Sequence, residues 1–332
     1  MTRFVETLVD LYPGFDPAAW FEAETLVELA HAEDLGTPLP GFRFDPESHA
    51  TLPVFSPASG RGRDVTAEGT IPASARGSAL FVARKPGVVA GLPLAHLTAW
   101  RFGLADGFRP LIRDGERVGP GTAVASVEGP MRELLMMERT ALNFLQRLGG
   151  IATLTARFVD EAAGTKAKIL DTRKTTAGWR ALEKYAVRCG GGVNHRFGLY
   201  DQVLIKDNHL AWIAQRGESD PVVAAVQAAR NEVAPSVLVE VEVDTLDQLD
   251  RALSCRPDVI LVDNLGRDQL AEAVRRRDAA APQVLLEASG GINLETVAGL
   301  ARTGVDRISV GALTHSAPAL DIGLDFDPTV SP

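Results

Sequence analysis

ILDTRKTTAGWRALEKYAVRCGGGVNHRFGLYDQVLIKDNHL, residues 169–210, carries the strongest signal in this chain. Residues 166–209 hold nine Lys and Arg against four Asp and Glu. The whole chain of 332 residues holds 34 Lys and Arg against 43 Asp and Glu. A compact basic segment in an acidic chain predicts a pocket for a small, highly charged anion, because Arg and Lys fix carboxylates and phosphates in place.

Six short apolar runs, two of them inside this segment, each end in polar residues. They are KILDTRK (168–174), QVLIKDN (202–208), VLVEVEVD (237–244), VILVDN (259–264), VLLEASGG (284–291) and RISVGAL (307–313). Helix-like stretches lie between most of them, for example at 221–233 and 246–254. Alternating short strands and helices predict a parallel sheet with crossovers, closed or nearly closed into an α/β barrel. In such barrels the chemistry lies at the C-terminal ends of the strands.

The N-terminal part of the chain follows a different rhythm. Residues 16–34 predict a helix whose first turn is capped by Asp16. Residues 36–77 are rich in Gly, Pro, Ser and Arg, which predicts a long irregular stretch. Residues 78–130 predict β structure, with hairpin-like turn chemistry at 114–129.

A long amphipathic helix is predicted for residues 133–160, since apolar side chains recur there at three- and four-residue steps. Gly149 and Gly150 lie inside it. We expect this pair either to break the helix or to let another backbone approach closely.

Composition excludes several classes of protein. A net charge of −9 argues against nonspecific nucleic-acid binding and against adhesion to anionic lipid. The chain has no run of about 18 apolar residues that would span a membrane, and its acidic N-terminus does not resemble a signal peptide. Cys189 and Cys255 form neither a metal motif nor a disulfide framework. We therefore expect a cytoplasmic protein without nucleic-acid or membrane partners.

The candidate site residues fall into three groups, of which the first is cationic. It comprises Arg173, Lys174, His195, Arg196 and Lys206. A single Lys at a strand end is usually a solvated surface residue, and a single His is usually structural. Several cations at separate strand and loop positions instead predict a pocket for two or more carboxylates, or for one carboxylate plus phosphates.

The second group is acidic. Glu242 and Asp263 end neighbouring predicted strands, and Glu240 lies two positions before Glu242, on the same face. Carboxylates beside an anion pocket predict either a divalent metal bound through water or contacts to ribose hydroxyls. A salt bridge to Lys174 or Lys206 is the structural alternative.

The third group consists of glycine turns at the last two strand ends. These are Ser289-Gly290-Gly291 and Ser309-Val310-Gly311. Free backbone N–H groups at such positions bind phosphate, although one SGG alone is more often an ordinary turn. The sequence has no nucleophile elbow, GxGxxG after its first strand, P-loop or paired metal motif. The predicted chemistry is therefore electrostatic.

These residues stand in motifs that resemble the quinolinate phosphoribosyltransferase family. The motifs are ERTALNFLQRLGGIAT (138–153), DTRKTTAGWRALEKYAVRCGGGVNHRFGL (171–199), IKDNH (205–209), VEVEVDTLDQL (239–249), VDN (262–264), EASGGI (287–292) and SVGALTHSAPALDIGL (309–324). The resemblance implies an α/β protein with an N-terminal α/β sandwich domain, residues 1–138, and a C-terminal open α/β barrel of parallel strands, residues 139–324. It places an insertion at about 37–63 and allows the C-terminal end of the chain to pack on the first domain.

The resemblance also implies a reaction and roles. Quinolinate and phosphoribosyl pyrophosphate would give nicotinate mononucleotide, pyrophosphate and CO2, with Mg²⁺, in a homodimer or larger homo-oligomer. Arg139 would reach the partner's site. The implied quinolinate contacts are Thr172, Arg173, Lys174, His195, Arg196 and Lys206. Glu242 and Asp263 would serve the ribose and the metal, the two glycine turns the phosphates, and Lys174 or Lys206 the final proton transfer.

Two departures from the family pattern stand out. The acidic pair Glu33-Asp34 is separated from Asp64-Val65-Thr66 by the insertion, and Gly149 stands where the family usually has Ser. Three other functions stay open on the residues alone. They are a related transferase acting on another pyridine, such as nicotinate, a non-catalytic anion-sensing barrel, and Schiff-base chemistry at Lys206.

Overall fold

The computed structural model describes residues 8–35 and 64–326, so the predicted insertion at 37–63 lies outside the described residues. The chain divides into two compact units. The first contains Met1–Thr153 and Pro318–Pro332, and the second contains Leu154–Ala317. The domain boundary predicted near residue 138 stays a prediction.

The first unit combines helices with two small sheets. Its helices are α1 (Pro17–Leu35), α2 (Val65–Thr70), α3 (Leu92–Arg101), a single 3-10 turn (Ala105–Gly107) and the N-terminal part of α4 (Met131–Glu161). Its strands are β1 (Arg76–Ala83), β2 (Gly87–Val88), β3 (Arg109–Pro110), β4 (Arg117–Val118), β5 (Ala123–Pro130) and β12 (Ile322–Phe326). One sheet has the order β12-β1-β5-β3 and the other pairs β2 with β4.

Local sequence explains the starts of two helices in this unit, α1 and α2. The prediction for α1 is confirmed, and Asp16 Oδ1 accepts a hydrogen bond of 2.9 Å from the backbone of Ala19. The irregular structure predicted for residues 36–77 was wrong at α2, which is helical. Asp64 caps this helix by accepting hydrogen bonds from the backbone N–H groups of Thr66 and Ala67. A capping carboxylate satisfies N–H groups that the first turn leaves free, so even this short helix forms.

The hairpin predicted at 114–129 was also wrong. β4 pairs with β2 through Gly87 and Val118, whereas β5 pairs with β1 and β3. The turn residues between β4 and β5 do reverse the chain, but long-range pairing determines which strand each one joins. Local turn chemistry does not contain that information.

Helix α4 runs without interruption through Gly149 and Gly150, so the break considered from the sequence is wrong. The alternative, a close backbone approach, is confirmed within the first unit. A Cβ atom added to Gly150 would overlap the carbonyl oxygen of Pro318 and lie 3.0 Å from Cα of Ala319. The absence of a side chain at Gly150 therefore lets the C-terminal segment lie directly on the helix.

The second unit is built on a parallel sheet, as predicted. Its strands are β6 (Lys168–Leu170), β7 (Val203–Ile205), β8 (Val239–Val243), β9 (Val259–Asp263), β10 (Leu285–Ser289) and β11 (Arg307–Ser309). Its helices beyond α4 are α5 (Arg180–Cys189), α6 (Asp207–Gln215), α7 (Pro221–Glu232), α8 (Leu246–Cys255), α9 (Arg267–Ala280), α10 (Val297–Ala301) and α11 (Ala312–His315).

The six strands have the order β6-β11-β10-β9-β8-β7, and every pair is parallel. β6 and β7 end this order, so the barrel is open between them, which confirms the predicted fold class. Residues 193–202 connect the two edges. Val193 forms a bridge to Leu170 at one edge, and Gln202 directly precedes β7 at the other.

Both cysteines are free thiols. Over residues 8–35 and 64–326, none of the helices is both long enough and apolar enough to cross a membrane.

Candidate active site

The polar residues predicted from the sequence lie at or just beyond the C-terminal ends of the parallel strands. Asp263 ends β9 and lies in register with Ser289, which ends β10. Glu242 lies in β8 beside Leu261 of β9. One edge of the sheet therefore carries these carboxylates and the glycine turns, with cations at both ends of the strand order.

A cavity of about 550 Å³ lies beside the ends of β8 and β9, with α6, α7 and α8 around it. Glu242 and Asp263 both line it, together with the carboxylates of Asp207 and Asp244. Lys206 Nζ lies 2.8 Å from Glu242 Oε2, so the salt bridge considered from the sequence does form. It is not a buried bridge, because 47% of the Lys206 side chain is exposed.

Arg173 and Arg196 form the cationic part of the site. Burial lowers the pKa of the Arg196 guanidinium, and repulsion from Arg173 lowers it further. The two arginines stand on neighbouring segments, because the backbone N–H of Asp171 donates to the carbonyl of Val193 at 3.3 Å and the backbone N–H of His195 donates to Asp171 Oδ1 at 2.9 Å. Arg196 Nη1 donates to the carbonyl of Gln202 at 3.1 Å. Nε of Arg173 is buried and has no hydrogen-bond partner among the described residues, which is unusual for a guanidinium nitrogen.

Thr172 and Lys174 lie in the turn that follows β6. Thr172 Oγ1 accepts a bond of 3.0 Å from the backbone N–H of Lys174. The carbonyl of Lys174 accepts from Thr314 Oγ1 at 2.8 Å. A Cβ atom on Gly311 would lie 3.0 Å from Cδ of Lys174, so this lysine passes over the turn that follows β11. The structure thus brings Lys174 together with the predicted phosphate turn Ser309-Val310-Gly311.

The turn Ser289-Gly290-Gly291 has a backbone conformation that only glycine adopts without strain. Gly290 and Gly291 have φ values of 96° and 58°, in the left-handed region. A Cβ atom on Gly290 would lie 2.6 Å from Cγ of Asn264. The backbone of Asn264 in turn donates to the carbonyl of Ser289 at 3.0 Å. Close packing of two strand ends therefore fixes this turn beside Asp263.

His195 lies in the barrel interior. It is 8% exposed, and its Nε2 lies 3.2 Å from Glu240 and 3.4 Å from Glu287. Glu240 therefore belongs to the interior, and Glu242 two residues later lines the cavity. Arg307 Nε donates to Glu287 at 2.6 Å. The predicted contact of His195 with quinolinate stays a prediction.

Two sets of interactions favour different protonation states of the His195 imidazole. The backbone N–H of Arg196 donates to His195 Nδ1 at 2.7 Å, which places the ring proton on Nε2. Burial opposes a second proton, but hydrogen bonds to Glu240 and Glu287 outweigh burial and raise the pKa of His195 to about 9. A second proton would occupy Nδ1 and meet the Arg196 N–H, so ring protonation and this backbone bond exclude each other.

The same geometry limits which residues suit a metal ion. Ligand atoms of His195, Glu240 and Glu287 lie within 4.8 Å of one another. However, Nε2 carries the ring proton and offers no lone pair, so this cluster does not fit a metal ion. Glu242 and Asp263 fit better, because they line one open cavity and carboxylate oxygens suit Mg²⁺.

Arg139 lies on α4 in the first unit, where its side chain is exposed. Sequence reasoning missed several buried or half-buried polar residues that support the site from within the second unit. These are Asp171, Lys184, Asn194, Gln202, Glu287 and Arg307. Asp171 was the easiest of these residues to predict from the sequence, because it is the first polar residue after a buried strand. Lys184 gave no such signal, since a lysine in a helix is normally exposed.

An open α/β barrel with two arginines, two cavity carboxylates and two glycine turns beyond its strand ends is typical of enzymes that bind anionic substrates there. Comparison with known proteins identifies it further. Models described as the quinolinate phosphoribosyl transferase N-terminal and C-terminal domains match residues 64–149 and 151–325. The chain belongs to the quinolinate phosphoribosyltransferase family.

Individual relatives agree with this assignment. The chain is 51% identical over 267 residues to the carboxylating nicotinate-nucleotide pyrophosphorylase of Mycobacterium leprae. This alignment covers 80% of this chain and 92% of that protein. It is 42% identical over 248 residues to a probable enzyme of the same name from Bacillus subtilis, covering 74% and 82%. The solved nicotinate-nucleotide pyrophosphorylase of Francisella tularensis has a TM-score of 0.77 at 33% identity, over 94% of this chain and 98% of that one.

A more distant likeness concerns the fold alone. Human nicotinic acid phosphoribosyltransferase has a TM-score of 0.55 at 15% identity, over 79% of this chain and 72% of that one.

Proposed function

We propose that this chain transfers the phosphoribosyl group of phosphoribosyl pyrophosphate to quinolinate with loss of CO2, giving nicotinate mononucleotide and pyrophosphate, a step of NAD biosynthesis. The observation that carries the proposal is that Arg173 and Arg196 stand on two chain segments that hydrogen bonds to Asp171 hold together. Bringing two guanidinium groups together costs free energy unless an anion offsets the repulsion. Quinolinate has two adjacent carboxylates, which match two adjacent cations.

The reaction proceeds by exchange of bonds at C1 of the ribose. The quinolinate ring nitrogen forms a bond to C1 as the bond from C1 to the pyrophosphate oxygen breaks. Arg173 and Arg196 orient the ring, and the negative charges of Glu242 and Asp263 stabilise the positive charge that develops on the sugar. Backbone N–H groups of the turns at Gly290 and Gly311 bind the phosphates.

The decarboxylation follows from the new charge on the ring nitrogen. The bond from C2 to its carboxylate breaks, CO2 leaves, and the electron pair stays on C2 beside the cationic nitrogen. A proton then binds to C2. Lys174 and Lys206 are the two candidate donors, and both are exposed at strand ends where they can exchange protons with water.

Mg²⁺ is part of this proposal. Glu242 and Asp263 are the residues that would hold it, through water, at the wall of the cavity. The chemistry that it supplies when bound is neutralisation of the pyrophosphate charge.

The test is release of pyrophosphate by the purified full-length chain with phosphoribosyl pyrophosphate, Mg²⁺ and either quinolinate or nicotinate. We expect turnover with quinolinate only. Arg173→Ala removes one charge-assisted contact of about 1.5–3 kcal/mol, so the KM for quinolinate should rise about 10- to 100-fold. Arg302→Ala, which also removes one positive charge from the second unit but lies outside the site, is the matched control. Turnover with nicotinate alone would contradict the proposal, as would quinolinate binding without pyrophosphate release.

We propose further that the active protein is at least a dimer and that Arg139 completes the partner's site. Its exposure on α4 is compatible with this role. Arg139→Ala and Arg173→Ala should each show little activity at a quinolinate concentration near the KM of the unaltered chain. Mixing the two variants should restore activity, because a hybrid dimer has one site with both arginines. If subunits exchange and no activity returns, the shared site is wrong.

A further inference from the structure

A buried ion pair joins Asp171, two residues before Arg173, to Lys184 of α5. Lys184 Nζ lies 2.5 Å from Asp171 Oδ1, with side-chain exposures of 2% and 0%. Burial raises the pKa of Asp171 and lowers the pKa of Lys184, so burial penalises both charges. Buried ion pairs are often no more stabilising than apolar side chains of the same volume. Stability alone therefore does not account for this pair.

The two side chains bind the backbone that precedes Arg196. Asp171 Oδ1 accepts from the backbone N–H of His195 at 2.9 Å, and its Oδ2 accepts from Asn194 Nδ2 at 2.6 Å. Lys184 Nζ donates a second bond, of 2.9 Å, to the carbonyl of His195. One peptide segment is thus held by both members of the ion pair. Arg196 is the next residue along it.

Asp171 also belongs to the segment that carries the other arginine. It follows β6 directly and lies two residues before Arg173. Its backbone N–H donates to the carbonyl of Val193 at 3.3 Å, and Val193 donates back to Ile169 at 2.8 Å. Asp171 therefore joins the two peptide segments on which Arg173 and Arg196 stand.

We propose that Asp171 and Lys184 are positioning residues that set the spacing of Arg173 and Arg196 for two adjacent carboxylates. Asp171 and Lys184 connect the segments that carry these two like-charged arginines, so their loss should let the segments move apart. Both members of the pair are buried, so they act through the backbone and not by contact with substrate. The inference rests on the proposed function, because it names the feature of quinolinate that the pair serves.

The variant that tests this is the double substitution Asp171→Asn with Lys184→Met, which removes both charges and keeps the side-chain sizes. Calorimetry would measure binding of quinolinate and of its monocarboxylate analogue nicotinate. We expect quinolinate affinity to fall at least about tenfold and nicotinate affinity to change less than about threefold, because only a dicarboxylate needs both arginines at one spacing. The KM for phosphoribosyl pyrophosphate should stay within about twofold.

Arg277→Met is the matched control. Arg277 is a cation of similar burial in the same unit, with 2% of its side chain exposed, and it pairs with Asp306 at 2.5 Å. Its loss should lower the free energy of unfolding without changing the ratio of quinolinate to nicotinate affinity. A purely structural role for Lys184 would make the two variants behave alike, and that result would overturn the inference.

Two further outcomes are separable. If the unaltered chain releases no pyrophosphate with quinolinate, the proposed function is wrong. If it is active and the double variant keeps the native ratio of affinities, only the positioning role is wrong. Should the double variant not fold by circular dichroism, the single variant Asp171→Asn provides the same test. It removes the charge that pairs with Lys184, and an unchanged ratio there would equally refute the inference.

Discussion

Gly150→Ala should destabilise the protein, although alanine normally favours a helix. Within α4 the substitution would add about 1 kcal/mol of helix propensity. Its Cβ, however, would overlap the Pro318 carbonyl, which belongs to the backbone and cannot rotate away. The segment must move off the helix. This endangers the bond of 2.9 Å from the Leu320 N–H to the Gln146 carbonyl.

The size of the effect follows from what the movement disrupts. The hydrogen bond contributes about 1 kcal/mol. Leu320 is only 4% exposed, so withdrawing it would cost about 2 kcal/mol more. Against the gain in propensity, the net loss is about 2 kcal/mol. Gly149→Ala is the matched control, because its Cβ would meet the Leu320 side chain at 3.0 Å, and a side-chain end can rotate.

Urea unfolding followed by circular dichroism would measure both variants against the unaltered chain. We expect the midpoint to fall for Gly150→Ala and to change little for Gly149→Ala, with similar slopes. The reasoning fails if Gly150→Ala is as stable as the unaltered chain, since the close approach of the C-terminal segment would then be absent.

Three further predictions concern single positions. Burial lowers the pKa of His96 to about 4, below its unfolded value of 6.5, so the unfolded chain binds more protons between these values and stability falls as pH drops through this window. Between pH 7 and pH 5 this loss is about 2 kcal/mol, and it should be absent from unfolding curves of His96→Gln. Asp16→Ala removes the cap of α1 and should cost about 1 kcal/mol of unfolding free energy in urea melts. Gly290→Ala requires a side chain at a φ of 96° against Asn264, so kcat/KM should fall at least about tenfold in the pyrophosphate assay while folding, checked by circular dichroism, persists.

Much of the barrel could be predicted from the sequence because its strands are buried on both faces. Runs such as VILVD at 259–263 are continuously apolar and stop at a polar residue, which gives both the strand and its functional end. The cap of α1 was equally local, since Asp16 contacts a residue only three positions away. These two features are encoded within a few residues and were predicted correctly, whereas the equally local cap of α2 at Asp64 was missed.

What could not be predicted depends on residues far apart in the chain. The partner of β4 is β2, about 30 residues earlier, and nothing in the turn at 119–122 specifies it. The interior position of His195 likewise depends on Glu240 and Glu287, which come from two different strands. The basic segment showed that cations gather along the chain, but not that His195 faces the interior while Lys206 stays exposed.

The pairing of β12 with β1 has a consequence for folding of the chain during translation. β1 leaves the ribosome early, whereas β12 is the last described strand to be translated. One edge of β1 therefore stays uncovered while all six strands of the barrel are being made. Open strand edges recruit other chains. Translation that stops shortly before residue 322 should thus yield an aggregating fragment, even though every residue of the barrel is already present.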